Sequence, residues 1–264
     1  MVEDFLLFLI VGALAQFVDG AVGMAYGVTA SSFLLAAGVP PAHTSASTHI
    51  AKFFTTAASG TAHWRHGNVD WSLFWRLAVA GALGGIGGAY VLTSIPGEVI
   101  KPFIIFYLAC MGIFILWRML KTVPNLKITI FNVAPVALVG GFLDAIGGGG
   151  WGPITTTTLI GRGGEPRFVI GSVNASEFVV TLGIGSALIW AFMTGHWKEG
   201  AEIVNHAPAI AGLIIGGLMT APIAGKFVSV LPRTVLGVAV GLVVLALSAY
   251  QAATLAGVLD RLHL

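Results

Sequence analysis

Two ionisable residues stand in the middle of apolar segments, where a charge is costly. Lys52 follows Pro41 by 11 residues and Glu177 follows Arg167 by 10, so at a rise of about 1.5 Å per residue each lies about 15 Å along its helix. A charge at that depth in a lipid bilayer costs at least about 2.5–3.5 kcal/mol, and such residues mark substrate or ion pathways. The two side chains are therefore predicted either to face a substrate or to form a structural ion pair with each other.

Each of these residues has a polar neighbour one helical turn earlier on the same face, His49 before Lys52 and Asn174 before Glu177. The four positions are predicted to share one polar surface. Two interpretations of His49 remain open: a ligand or proton carrier, or a hydrogen-bonded histidine that serves packing.

Two glycine-rich stretches, 17–27 and 142–152, interrupt apolar segments that are too long for one crossing, 5–38 and 129–161. Backbone that leaves helical geometry inside a bilayer is tolerated only where protein or a water-filled cavity satisfies its polar groups. The helix after each break points its N-terminal N–H groups and the positive end of its dipole inward, which suits an anion. Thr29 and Thr155 add hydroxyls in or near these first turns. The alternative is that the glycines only allow close helix packing.

An aspartate precedes each break, Asp19 in the first stretch and Asp144 in the second. A carboxylate there can accept hydrogen bonds from the freed N–H groups at the tip. Both are predicted to be structural, with ion coupling as the alternative.

The two stretches belong to a duplication displaced by 125 residues. Residues 17–61 and 142–186 align without a gap and are identical at 11 of 45 positions, where chance would give about four. The first-copy identities are Phe17, Asp19, Gly23, Gly27, Leu34, Gly38, Pro41, Ser47, Phe53, Thr56 and Gly60. Lys52 with Glu177 and His49 with Asn174 are also counterparts.

The composition places these segments in a membrane. Of 264 residues, 56% are hydrophobic and 9% are charged, against about 25% charged in soluble domains, and the mean hydropathy is +0.92. One cysteine excludes a disulfide scaffold, and a net charge of +2 without a dense basic run argues against nucleic acid as a partner. The sequence has no metal-ligand spacing, no paired catalytic carboxylates and no nucleophile with a base, so we expect no metal, no cofactor and no enzymatic activity.

Positive residues select between two topologies, because Lys and Arg concentrate on the cytoplasmic side of a membrane. If every apolar segment crosses once, the two sides hold 7 and 5 of these residues; if both broken segments are re-entrant hairpins, they hold 9 and 3, with Lys52 left out. The hairpin topology is therefore predicted, with both chain termini outside. A first hairpin arm of about 14 residues would place its tip near the middle of a roughly 30 Å core.

A hairpin followed by three crossings turns the second half upside down relative to the first. We therefore predict an all-α polytopic membrane protein of two inverted repeats, residues 1–125 and 126–264, within one integral membrane domain. Each repeat is a re-entrant, broken helical hairpin plus three transmembrane helices. Inverted repeats with broken helices that meet at the midplane are the architecture of secondary transporters.

The paired glycine-aromatic-glycine motifs, 19–27 and 144–152, each followed by a Pro-bounded polar helix, 41–60 and 166–185, resemble the TauE/SafE family of sulfite exporters over essentially the whole chain. The resemblance implies that Gly23, Gly27, Gly148, Gly152, His49, Lys52, Asn174 and Glu177 line a substrate site. The motif aromatics Tyr26 and Trp151 and the hydroxyls of Thr29 and Thr155 complete the predicted substrate-binding set.

The function implied is export of a small sulfur-containing anion, sulfite or an organosulfonate such as sulfoacetate, across a bacterial inner membrane. The stretch 147–152 lacks the Lys and Ser/Thr of a phosphate-binding loop, so a gradient must supply the energy. A channel or a cation- or proton-coupled carrier that uses Asp19, Asp144 and Glu177 is the main alternative, followed by a membrane-embedded enzyme. The expected partners are the anion and the lipid bilayer; homo-oligomerisation stays open.

Overall fold

Helices form all the regular structure that can be described. The structure, a computed structural model, describes residues 2–22, 24–120, 133–227 and 233–257. Within these ranges the chain forms ten α-helices and one 3-10 helix and no strand. The helices are α1 (Val2–Val22), α2 (Tyr26–Ala36), α3 (Pro41–Arg65), α4 (Trp71–Ser94), α5 (Gly97–Leu120), α6 (Val133–Gly147), α7 (Trp151–Gly161), α8 (Pro166–Met193), the 3-10 segment (Lys198–His206), α9 (Ala207–Phe227) and α10 (Arg233–Leu255).

Five segments are long and apolar enough to cross a membrane, by length and composition: Trp71–Ser94, Gly97–Leu120, Pro166–Met193, Lys198–Ala221 and Thr234–Leu255. The helix α3 is also long, at 25 residues, but it carries a run of polar side chains and is less apolar. The prediction of an all-α polytopic membrane protein is confirmed.

The two halves repeat the same order of helices, α1 to α5 and then α6 to α10. The chain leaves helical geometry at residues 24–25 and again at residues 148–150, inside the two predicted stretches. The predicted boundary between residues 125 and 126 lies outside the described residues.

A glycine with a left-handed backbone conformation ends the short helix that follows each break. Gly38 follows α2 with a φ of 87° and Gly163 follows α7 with a φ of 92°, a left-handed conformation that favours glycine. A proline then occupies the first turn of the next helix, Pro41 in α3 and Pro166 in α8, where its missing N–H costs nothing. The same local signals therefore place α3 and α8 equivalently in the two halves.

The first arm is longer than predicted. The helix α1 has 21 residues, not about 14, because it begins at Val2 and continues past Asp19 to Val22. The helix α2 after the break has 11 residues, a length of about 16 Å, or half of a roughly 30 Å core. The position of the break at mid-depth stays a prediction.

The second broken segment folds back on itself. A Cβ atom placed on Gly140 in α6 would lie 3.0 Å from Cγ2 of Thr155 in α7. Both residues lie several positions from the break, and a segment that continued straight on would separate them by about 22 Å. The helix α7 therefore runs back alongside α6.

Helices of the first half pack on helices of the second half in matching pairs. Helix α1 packs on α9 and its counterpart α6 packs on α4, while α3 also contacts α9 and α8 contacts α4. Helices α3 and α8 lie side by side and antiparallel: Gly60, late in α3, approaches Ala175, early in α8, and His43, early in α3, bonds to Glu199 beyond the end of α8. Inversion of the halves predicts such an antiparallel pair and itself stays a prediction.

Candidate functional site

The two breaks meet tip to tip. A Cβ atom placed on Gly27 would overlap the carbonyl oxygen of Gly148 and lie 2.7 Å from Cα of Gly149. A Cβ atom on Gly149 would in turn overlap the backbone nitrogen of Val28. Only glycine allows backbones to approach this closely, so these residues set the distance between the starts of α2 and α7.

An aspartate carboxylate accepts hydrogen bonds from the first backbone N–H groups of each helix that follows a break. Asp19 Oδ1 accepts hydrogen bonds from the backbone nitrogens of Ala25, at 2.7 Å, and Tyr26, at 3.2 Å. Asp144 Oδ1 accepts one from the nitrogen of Trp151, at 3.1 Å. These N–H groups have no partner inside their own helix, so the carboxylates satisfy donors that would otherwise be left unpaired.

Lys52 lies between two carboxylates next to the tips. Its Nζ donates to both oxygens of Asp144, at 3.0 and 2.8 Å, and lies 2.8 Å from Oε1 of Glu177. The exposed fractions of these residues are 1% for Lys52, 0% for Asp144 and 9% for Glu177. The three side chains form a buried ionic cluster that joins α3, α6 and α8, and removing Lys52 would leave two buried carboxylates without their cation.

His49 extends this cluster. Its Nε2 lies 3.2 Å from Oδ2 of Asp144, and its Nδ1 lies 2.7 Å from the carbonyl oxygen of Ser45. Asp144 thus receives contacts from the first residue of α7, from Lys52 and from His49. This carboxylate couples the geometry of the second tip to the ionisable groups of α3.

Charge in the site is unbalanced. The carboxyl groups of Asp19, Asp144 and Glu177 and one ammonium group, that of Lys52, line the same cavity of about 10 Å³ among the described residues. A cavity of that size holds about one water molecule. In this conformation the site is closed to anything larger, and a ligand at the ionic cluster requires the tips to separate.

The predicted aromatic residues bond to neighbouring helices. Tyr26 Oη donates to the carbonyl oxygen of Leu213 in α9 at 3.0 Å, and Trp151 Nε1 donates to that of Val173 in α8 at 3.1 Å. Both side chains are buried. The side-chain polar atoms of Tyr26 and Trp151 bond to these helices and do not contact the ionic cluster.

Gly152 and Asn174, two further predicted site residues, lie in different surroundings. Gly152 lines the central cavity together with Gly27. Asn174 bonds to the carbonyl oxygen of Ile170 at 2.9 Å and accepts from Ser59 at 3.4 Å, so it belongs to the contact between α3 and α8.

Two threonines and two glycines complete the predicted set. Thr155 donates to the carbonyl oxygen of Trp151, whereas the hydroxyl of Thr29 is buried and has no hydrogen-bond partner among the described residues. Gly148 has a left-handed φ of 73°, and Gly23 lies outside the described residues.

Sequence reasoning missed three features of the site. The pairing of Lys52 with Asp144 was not foreseen, although three acidic residues and one basic residue in apolar segments are a signal for it. Tyr107 of α5 was also missed: its hydroxyl is buried beside the second break, 2.7 Å from a Cβ atom placed on Gly150, and has no hydrogen-bond partner among the described residues. The third feature is the hydrogen bond between the hydroxyls of Ser31 and Thr48, at 3.1 Å. The polar run that begins at His43 in α3 is the signal that could have revealed it.

The described residues contain no group of three His, Cys, Asp or Glu side chains arranged to hold a metal ion. The arrangement offers instead two helix N-termini, one ammonium group and the carboxylates of Asp144 and Glu177 in contact with it.

Comparisons with known proteins identify a family and two relatives. The model of the family described as sulfite exporter TauE/SafE matches residues 8–251. The chain is 40% identical over 254 residues to the probable membrane transporter protein YtnM of Bacillus subtilis (strain 168), which covers 90% of this chain and 79% of the relative. It is 28% identical over 213 residues to the probable membrane transporter protein ORF9 of Sinorhizobium sp, covering 74% and 76% of the two chains. No solved structure matches the chain significantly.

The family match spans both broken segments and both polar helices, and the relatives that share this span are named as membrane transporters. The resemblance in the paired glycine motifs is therefore confirmed. The chain is a multi-pass membrane transporter that belongs to the TauE/SafE sulfite exporter family.

Proposed function

We propose that the chain is a secondary transporter that exports a small sulfur-containing anion, sulfite or an organosulfonate such as sulfoacetate, across a bacterial inner membrane. One observation carries the proposal: the N-termini of α2 and α7 meet tip to tip beside the buried ammonium group of Lys52. Helix N-termini and a desolvated cation are the groups that bind a small oxyanion.

The anion competes with the carboxylates that hold these groups in the closed conformation. Asp19 and Asp144 accept the N–H groups of the two helix starts, and Asp144 also accepts from Lys52. An anion takes their place when the tips separate. Because it then lies near several carboxylates, protons must neutralise part of that negative charge, and we infer that anion and proton movements are coupled.

The contacts between helices of different halves support an arrangement of two inverted halves around this site. The antiparallel pair of α3 and α8 and the reciprocal contacts of α1 with α9 and α6 with α4 are those that a twofold axis in the membrane plane produces. The distribution of Lys and Arg supports an orientation with both termini on the outer side of the inner membrane.

The test is efflux of labelled sulfite and labelled sulfoacetate from loaded proteoliposomes. Lys52→Ala should lose transport, and Lys101→Ala, which removes the same side chain from α5 away from the site, should keep it. The site assignment is wrong if Lys52→Ala transports like the unmodified protein. Transport of neither anion by the unmodified protein, under any imposed gradient, would refute the proposed function.

The excess of carboxylates favours a second candidate, a cation or proton carrier that uses Asp19, Asp144 and Glu177. The same proteoliposomes distinguish the two functions. A flux that depends on a cation gradient alone and does not change when sulfite is removed would favour the second candidate. A flux that saturates with the anion favours the first.

A further inference from the structure

Both ring nitrogens of His49 face hydrogen-bond acceptors. Nδ1 lies 2.7 Å from the carbonyl oxygen of Ser45, one turn earlier in α3, and Nε2 lies 3.2 Å from Oδ2 of Asp144 in α6. A carbonyl oxygen has no hydrogen to donate, so Nδ1 must carry one. A neutral imidazole carries a hydrogen on only one nitrogen, so the state of Nε2 depends on whether Asp144 is ionised.

The hydroxyl of Ser45 leaves the hydrogen on Nδ1. Its oxygen lies 3.3 Å from Nδ1 of His49, but its own hydrogen is donated to the carbonyl oxygen of Ala145 at 2.5 Å. A hydroxyl has one hydrogen to give, so the Ser45 oxygen faces Nδ1 as a second acceptor. Nδ1 is therefore a donor with respect to both oxygens of Ser45.

The other contacts of Asp144 are those of an ionised carboxylate. Lys52 Nζ donates to both of its oxygens, and the backbone nitrogen of Trp151 donates to Oδ1. Donors on both oxygens favour the charged form of a carboxyl group. An ionised carboxylate can only accept, so Nε2 of His49 must also carry a hydrogen. With a hydrogen on each nitrogen, the imidazole ring is positively charged.

We propose that His49 is doubly protonated in this conformation and holds the proton that accompanies the transported anion, a proposal that rests on the proposed transport function. The charges in contact with one another agree with this assignment. The cations of Lys52 and His49 then equal in number the anions of Asp144 and Glu177. A neutral His49 would leave this buried group of side chains with an excess negative charge, which is unfavourable.

The titratable groups around His49 come from three helices. Asp144 of α6 contacts it, and Lys52 of α3 and Glu177 of α8 follow through Asp144. Asp19 of α1 lines the central cavity, which His49 does not line. In the space between α3, α8 and the 3-10 segment, His49 is the only titratable side chain among the described lining residues. The charge of His49 is therefore set mainly by Asp144.

The proton is closed off from water. The side chains of His49 and Asp144 are 1% and 0% exposed. Their contact lies beside the second tip, because Asp144 also accepts the backbone N–H of Trp151. We therefore expect the proton to exchange with water only when the surroundings of Asp144 open, the movement that also admits an anion to the ionic cluster.

A charged His49 allows the anion to displace Asp144. In the proposed function, the anion takes the N–H of Trp151 and the ammonium group of Lys52 from this carboxylate. Asp144 would then be a buried charge without a partner unless a second cation stayed beside it, and such a charge is strongly unfavourable. A protonated His49 is that cation. The anion and the proton are therefore bound together, and loss of the proton weakens anion binding.

The protonation state is tested by 15N NMR of the full chain, labelled at its histidine nitrogens, in lipid nanodiscs and without an anion. At neutral pH both ring nitrogens of His49 should show a bonded hydrogen. The signal of His49 is assigned by its loss in His49→Gln. A neutral ring at His49 would overturn the proposal, whether or not the protein transports an anion.

The role in transport is tested by the affinity for sulfoacetate from about pH 6 to about pH 10, where this anion stays ionised. For the unmodified protein, the affinity should be constant at the acidic end and fall about tenfold per pH unit once His49 loses its proton. His49→Gln keeps an amide donor but cannot take the charge. Its affinity should be at least about tenfold weaker at the acidic end and should not depend on pH.

His66→Gln is the matched control. His66 is exposed directly after α3, and its Nδ1 lies 2.7 Å from a carbonyl oxygen four residues earlier, that of Ala62, as Nδ1 of His49 does from that of Ser45. It lies outside the ionic cluster. This variant should keep both the affinity for sulfoacetate and its pH profile.

The outcomes separate this proposal from the proposed function. An affinity of the unmodified protein that stays constant over this pH range, or a pH dependence that survives in His49→Gln, would overturn the role of His49 and leave anion transport intact. If His49 is doubly protonated but neither sulfoacetate nor sulfite binds, the proposed function fails and the coupling role of His49 fails with it. If His49→Gln does not fold, His49→Asn, which also keeps an amide donor, is measured against the same outcomes.

Discussion

Lys52 Nζ lies 3.0 and 2.8 Å from the two carboxylate oxygens of Asp144, 92 positions further along the chain. This contact joins the middle of α3 in the first half to the end of α6 in the second half. Because Asp144 also accepts the backbone N–H of Trp151, the same carboxylate holds the second tip and the buried ammonium group. A change in charge at either residue is therefore expected to reach both the ionic cluster and the hairpin.

Replacement of Lys52 by methionine should destabilise the protein strongly. The variant keeps an unbranched side chain of similar length but leaves Asp144 and Glu177 buried without their cation, a loss of about 3–5 kcal/mol for a broken buried pair. Thermal unfolding in detergent measures the change, with Lys101→Met as the control. An unfolding midpoint equal to that of the control would show that the cluster does not stabilise the fold.

The Asp144→Asn and Asp144→Ala variants should differ in stability, because the two substitutions separate the two roles of this carboxylate. Asp144→Asn keeps an oxygen that can accept from Trp151 and loses the charge that pairs with Lys52, whereas Asp144→Ala loses both. The alanine variant should be less stable by about a further 1 kcal/mol. Asp19→Asn and Asp19→Ala should show the same order, and equal unfolding midpoints within each pair would contradict the assigned hydrogen bonds.

Replacement of Gly27 by alanine should push the two tips apart. The new methyl group would overlap the backbone of Gly148, so we expect a loss of about 1–3 kcal/mol in unfolding free energy and slower transport. Gly87→Ala, on the exposed face of α4, should be neutral or slightly stabilising because alanine favours the helix by up to about 1 kcal/mol. Equal unfolding free energies and equal transport rates of Gly27→Ala and Gly87→Ala would exclude tight contact between the tips.

Residues at the two ends of the first hairpin should be accessible from the same side of the membrane. After Cys110→Ser removes the native thiol, single cysteines are introduced by Glu3→Cys and Ala37→Cys, both at exposed positions. A membrane-impermeant maleimide added to intact cells should label both. Labelling of only one of them would show that α1 and α2 together cross the bilayer, and the inverted arrangement of the halves would be lost.

Much of the fold could be predicted from local features of the sequence. Gly38 and Gly163 end short helices and Pro41 and Pro166 begin long ones, because left-handed φ angles and the missing proline N–H act within a few residues. The breaks at 24–25 and 148–150 fall in the predicted stretches for the same reason. The length of α1 was underestimated, because a helix can continue through Asp19 without any local signal to stop it.

Composition and spacing by themselves determined that the chain is helical, lies in a membrane, is duplicated, and carries Lys52 and Glu177 in the middle of long helices, since these properties depend only on which residues follow one another. Only the tertiary structure decided which partners meet. Three carboxylates near one ammonium group are equivalent until helix packing sets their distances, and packing brought Asp144 to Lys52. A Cβ atom placed on Gly60 would lie 3.2 Å from Cα of Ala175, whereas one placed on its duplicated counterpart Gly185 would meet nothing within 4 Å. The duplication predicts the same surroundings for both glycines, so only the packing of the helices decided this difference.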